Sequence, residues 1–96
     1  MNVTFNNGQT FAAKTSVEQK IYRDGAPVGW VLSLSLTGNA NSETIDALLT
    51  EENISKITIT SETEEVILTG YDKTTSCVLK YTETSFIAEI QLTKGV

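Results

Sequence analysis

Bond-making chemistry at neutral pH needs a group that moves a proton beside a group that attacks, and this chain supplies few of either. It has no histidine and one cysteine, Cys77. A reactive thiolate needs a neighbouring base or cation to lower its pKa. Ser76-Cys77-Val78-Leu79 reads instead as a small, buried residue within a strand. Serine and threonine are plentiful, but none lies in a Gly-x-Ser-x-Gly turn and no imidazole can activate one. A zinc site built on His or paired Cys cannot form. Carboxylates gather at Glu51-Glu52 and at Glu62-Thr63-Glu64-Glu65. They lack the alternating spacing and turn glycine of a calcium loop, and they read as solvated turn positions. Glu89 projects from the last strand opposite its apolar face, so no two carboxyls are set in one cleft for acid–base work. Gly25-Ala26-Pro27-Val28-Gly29 lacks the lysine and following helix of a phosphate loop. The sequence therefore predicts no enzyme, no catalytic residue, no cofactor and no metal.

Recognition chemistry is the alternative. Trp30, Tyr22, Tyr71 and Tyr81 are of the types that stack on sugar rings, and they define a candidate ligand platform for a small carbohydrate-binding module. Against this, Trp30 begins the core face of its strand and the tyrosines sit at strand ends, where a hydroxyl reaches water. The formal net charge is −5, from 12 acidic and 7 basic residues. Phosphate backbones are bound by clustered Lys and Arg, and here the cations are scattered, so nucleic acid and membrane are not expected partners. The acidic balance permits a further reading, an inhibitor or regulator that offers a negative face to a basic protein. No apolar run approaches the ~20 residues of a membrane span. Met1-Asn2-Val3-Thr4-Phe5 is not a basic stretch followed by an apolar one, so no secretory signal is expected. The sequons at Asn2 and Asn53 are then chance matches. A single cysteine fits folding in a reducing compartment.

The elements that must position these residues are mostly strands. The 96 residues predict one domain spanning 1–96, large enough to fold alone with little surplus. Val3 and Phe5 alternate with polar neighbours, and Asn7-Gly8 suits a tight turn. From Gln9 to Arg23, Phe11, Ala13, Val17 and Ile21 share one parity, which predicts a strand with one polar face. Thr15-x-x-Glu18 has the form of a capping box, so residues 15–22 leave helix open as an alternative. Asp24-Gly25-Ala26-Pro27 is a turn. Trp30, Leu32, Leu34 and Leu36 then alternate with Val31, Ser33, Ser35 and Thr37, a strand pattern. Ile45, Leu48 and Leu49 make one helical stripe behind a Ser42 N-cap, with Glu43 and Asp46 favourably placed at the positive end of the helix dipole. A short helix over about 43–52 is expected, docked on the sheet because it is too short to persist alone. Four short strands follow with turns between them, an antiparallel order. The fold class is α+β, mostly β: an antiparallel barrel or sandwich of six to seven strands with one short helix between strands.

Several of these strands carry apolar residues on both faces. Ile67 lies opposite Val66 and Leu68, Val78 opposite Leu79, and Ile87 opposite Phe86. Ile67, Val78 and Ile87 are therefore the candidate interface of a subunit that meets other subunits.

Read in order, the chain gives a hairpin, Trp30-Val31-Leu32-Ser33-Leu34-Ser35-Leu36, one helix carrying Glu43-Thr44-Ile45-Asp46-Ala47-Leu48-Leu49, then Ile57-Thr58-Ile59-Thr60, Leu68-Thr69-Gly70-Tyr71 and two closing strands. This resembles the small tail and head–tail joining structural proteins of bacteriophages and prophages of Gram-positive bacteria, over roughly residues 29–94. The resemblance implies a one-helix β-barrel or sandwich that assembles with symmetric copies of itself, as a homo-oligomer, and with neighbouring tail or neck proteins. It implies a virion component or a protein of the bacterial host cytoplasm, with no catalytic residues to transfer. The long protruding loop with which tail-tube subunits grip the next ring is not evident in this sequence.

Overall fold

The computed structural model describes residues 1–39, 45 and 47–96. Seven strands are formed: β1 (Asn2–Thr4), β2 (Thr10–Arg23), β3 (Ala26–Asn39), β4 (Lys56–Thr60), β5 (Glu65–Thr69), β6 (Lys73–Tyr81) and β7 (Ser85–Gly95). They make one antiparallel sheet in the order β5-β4-β1-β2-β3-β7-β6. The fold is the mostly-β, antiparallel one that the alternating pattern predicts, and residues 15–22 are strand.

The turns are set locally. Asp24 and Gly25 have φ of 51° and 79° between the paired Arg23 and Ala26, the two positive angles that a two-residue hairpin matching the strand twist requires. Asn7 Oδ1 accepts from the Gln9 N–H at 3.0 Å, and Thr82 Oγ1 accepts from the Ser85 N–H at 3.1 Å.

The sheet cannot be flat. β5 and β6 are its two opposite margins, yet only Gly70, Tyr71 and Asp72 join them. Six inter-strand spacings of about 4.8 Å would part the margins by about 29 Å, whereas the four steps from Thr69 to Lys73 reach at most about 14 Å. The sheet therefore curls until its margins meet at this corner. Gly70 donates its N–H to Ser55 O at 3.0 Å and Asp72 donates to Thr93 O at 3.2 Å, which ties the corner to both sides. Gly70 turns there with φ of 88°, a conformation that a Cβ disfavours.

The curl encloses the core. Leu32, Leu34 and Leu36 of β3 face inward with Phe86, Ala88, Ile90 and Leu92 of β7, Val3 of β1 and Ile57 of β4, all buried. Phe11 links Phe5 and Phe86 through edge-to-face contacts at 6.1 and 6.4 Å. Ile45, Leu48 and Ile54 join the same cluster from the segment between β3 and β4. Part of the expected helix, including Ser42, Glu43 and Asp46, lies outside the described residues. Ile45, Ala47 and Leu48 are helical, and the helix does not run unbroken to residue 52. Thr50 is extended and its Oγ1 accepts from the Asn53 N–H at 3.2 Å. It thereby caps a second short helix, α1 (Glu51–Ile54).

Two expectations are reversed. Cys77, expected to be buried, is exposed on β6, a margin strand of the sheet. The second lies in β2. A bulge between Ala13 and Thr15 breaks the register of β2 on β3 and shifts the parity beyond it. Phe11 and Ala13 pack on the core, but Val17 is 50% exposed and Ile21 38%. Ser16, Glu18 and Lys20 instead pair with the inward-facing Leu34, Leu32 and Trp30. Val17→Ala is expected to change stability by less than about 0.5 kcal/mol, as for other surface sites, measured by urea unfolding. A core-sized loss would place the bulge wrongly.

Candidate functional site

The inward-facing polar residues of β2 meet the corner. Tyr71 is fully buried, and its hydroxyl donates to Glu18 Oε2 at 2.5 Å. Lys94 Nζ lies 4.7 Å from the centre of the same ring and donates to Thr69 O at 2.7 Å. Beside them, Lys20 Nζ sits 5.3 Å from the centre of the Trp30 ring. Both are contacts of cations with aromatic faces: Lys94 ties the end of β7 to the β5–β6 connection, Lys20 ties β2 to β3, and the Tyr71–Glu18 hydrogen bond joins the outer half of β2 to that connection. Burial, then the hydrogen bond to Glu18 and its charge, push the Tyr71 phenol well above its ordinary value of 10.0.

That shift has a stability consequence. In the unfolded chain a tyrosine loses its proton near about pH 10, while folded Tyr71 holds its proton to higher pH. Between the two values the folded state binds the extra proton, so stability falls as pH rises. The contribution is complete below about pH 10 and is lost above it. Tyr71→Phe is expected to remove this component, leaving a flatter alkaline limb in denaturant midpoints measured from pH 8 to 12. An unchanged alkaline slope would show that Tyr71 ionises alike in both states.

The four aromatic residues do not form one platform. Tyr71 presents no exposed face. Tyr81 pairs with Phe86 and Trp30 with Lys94, both across to β7, so eight residues of strand, about 27 Å, separate them. Tyr22 is exposed beside the β2–β3 turn. Trp30 is half-buried on the core side, as its alternation implies.

The candidate interface residues stand outside the curl. Ile67 pairs with Thr58 on the face opposite Ile57 and Leu68 and is 54% exposed. Val78 pairs with Glu89, and Ile87 with Lys80 and Thr37. Val78 and Ile87 are thus diagonal neighbours on β6 and β7, crossed by the exposed Lys80–Glu89 ion pair at 3.5 Å, while Ile67 lies on the other margin. Between β2 and β6 the outer face forms a shallow hollow of about 380 Å³ lined by Thr15, Ser33, Ser35, Ser76, Val78 and Glu89. Two features escape the sequence reading: the exposed Val17–Ile21 row on the outer face and the Glu18–Tyr71 contact on the inner one. The bulge that creates both has no distinct residue signature in Ala13-Lys14-Thr15.

Among the described residues no group of three or more His, Cys, Asp or Glu could hold a metal ion, and no helix is long and apolar enough to cross a membrane. No family model matches the chain, and no curated protein or solved structure matches it either.

Proposed function

We propose that this chain is a structural assembly protein of a bacteriophage or prophage tail or neck, acting through contacts between subunits rather than by catalysis. Its partners in this reading are copies of itself and neighbouring tail or neck proteins, in the virion or in the host cytoplasm during assembly. The tail and neck assignment rests on the resemblance over residues 29–94. The observation that carries the assembly reading is the outward apolar residues on strands with an open side: Ile67 on β5, Val78 on β6, and Val17 and Ile21 on β2. Exposed strand edges that carry apolar side chains are surfaces for pairing with another chain.

Light scattering after size exclusion, over a hundred-fold range of concentration, tests this reading. The expected mass is a multiple of 10.5 kDa that rises with concentration. A strict monomer that also ignores every candidate neighbour would defeat it. Because each copy carries a net charge of −5, like-charge repulsion opposes association at low salt and is screened as the Debye length falls to about 8 Å at physiological ionic strength. Association is therefore expected to strengthen between 10 and 150 mM salt in sedimentation velocity runs. Weakening instead would point to a contact made by opposite charges.

A further inference from the structure

We propose that copies of this chain join head to tail, the β6 edge of one pairing antiparallel with the outer half of β2, Thr15–Arg23, in the next. This rests on the self-assembly reading above and names the surfaces that serve it. Among the described residues β6 has one strand neighbour, β7, and β2 beyond Ala13 has one, β3. β1 accounts for the difference: it covers β2 only at Thr10–Ala12. Among the described residues, the part of the sheet made by outer β2, β3, β7 and β6 is therefore a four-stranded layer with no further strand on either side.

The two edges match. β6 has nine residues, the same length as Thr15–Arg23. Three antiparallel steps separate β2 from β6, so the two strands run in opposite directions. A copy laid alongside in the same orientation then presents its β2 antiparallel to β6, the pairing used throughout this domain. The other open margin, β5, lies six antiparallel steps from β6 and would meet it in parallel, the slightly less stable arrangement. The outward parity also agrees. Val78 on one edge and Val17 and Ile21 on the other are exposed and β-branched on the same face, so pairing sets them side by side as cross-strand neighbours.

Inward-pointing charges can protect an edge strand from pairing. Here Glu18 is held by Tyr71 and Lys20 lies over Trp30, so neither stands in the path of an approaching strand. A two-fold β6–β6 pair would cover one open edge and leave the other. A single edge of this length is also small beside the roughly 800 Å² per partner of a standard interface. A heterologous contact that closes into a ring gives every copy two such edges.

Cross-linking tests the assignment. In a Cys77→Ser background, Val78→Cys is combined in turn with Val17→Cys, Gln19→Cys and Ile21→Cys, and each protein is treated with a short bismaleimide. At least one combination is expected to give a ladder of linked dimers, trimers and larger species, because every copy carries both halves of the link. Either cysteine alone is expected to give no ladder. Dimers from Val78→Cys alone would reveal two-fold β6–β6 pairing and overturn the proposal. No ladder from any combination, in samples that light scattering shows to be oligomeric, would move the contact to other surfaces while leaving the assembly function standing. A monomer under all conditions would sink both.

Discussion

Tyr71→Ala is expected to destabilise the domain by about 3–5 kcal/mol, the cost of truncating a fully buried aromatic ring. The physical reason is its place. Tyr71 is the middle residue of the three that carry the chain from one margin of the sheet to the other, it is fully buried, and its hydroxyl reaches Glu18 on β2. Its loss leaves a cavity where the curl closes and frees the outer half of β2 from its tie to the corner. Tyr71→Phe keeps the ring and removes only the hydrogen bond. A bond to a charged group is worth about 1.5–3 kcal/mol. The exposed Glu18 recovers hydration when the hydroxyl goes, so a loss near the low end is expected. Urea unfolding of the two variants separates the ring from the hydroxyl. Equal losses would mean that the ring contributes nothing beyond its hydroxyl, contradicting its burial. If outer β2 is also an assembly edge, Tyr71→Phe is expected to weaken self-association by several-fold, because the strand is less firmly held before it pairs.

Leu32→Ala is the second large effect, at about 3 kcal/mol for a buried leucine. At 4–8 °C per kcal/mol for a domain of this size, Tm falls by roughly 12–24 °C, read by calorimetry. Leu32 sits at the middle of β3 between Glu18 of β2 and Leu92 of β7 and is fully buried. β2 offers a carboxylate there instead of another apolar side chain, so nothing on that side can collapse into the space left behind. A cost within about 0.5 kcal/mol, the surface range, would mean that β3 turns its leucines to solvent and that the sheet is inside out. Against Val17→Ala, this variant also measures the bulge: before the register break the two positions would rank as equals in sequence pattern.

The sequence by itself determined the strands, because alternation with a period of two survives wherever a pleated strand has one wet and one dry face. The leucines of β3, the Asp24-Gly25 turn and the placement of Ile67, Val78 and Ile87 on the face opposite their apolar neighbours follow from it, while the curl decides that this face is the outer one. Two local features stayed out of reach. The bulge at Lys14 inverts β2 through a single inserted residue, and Thr50 ends one helical stretch and caps the next. Only the tertiary structure decided how the sheet closes, which strands keep an open side and that Tyr71 meets Glu18, 53 positions away. Periodicity reports the face that a residue takes within its own strand, while strand order and curl arise from contacts between segments far apart in the chain. In this domain the length of β1 decides which part of β2 is covered, and that length acquires its meaning only when β1 is laid against β2.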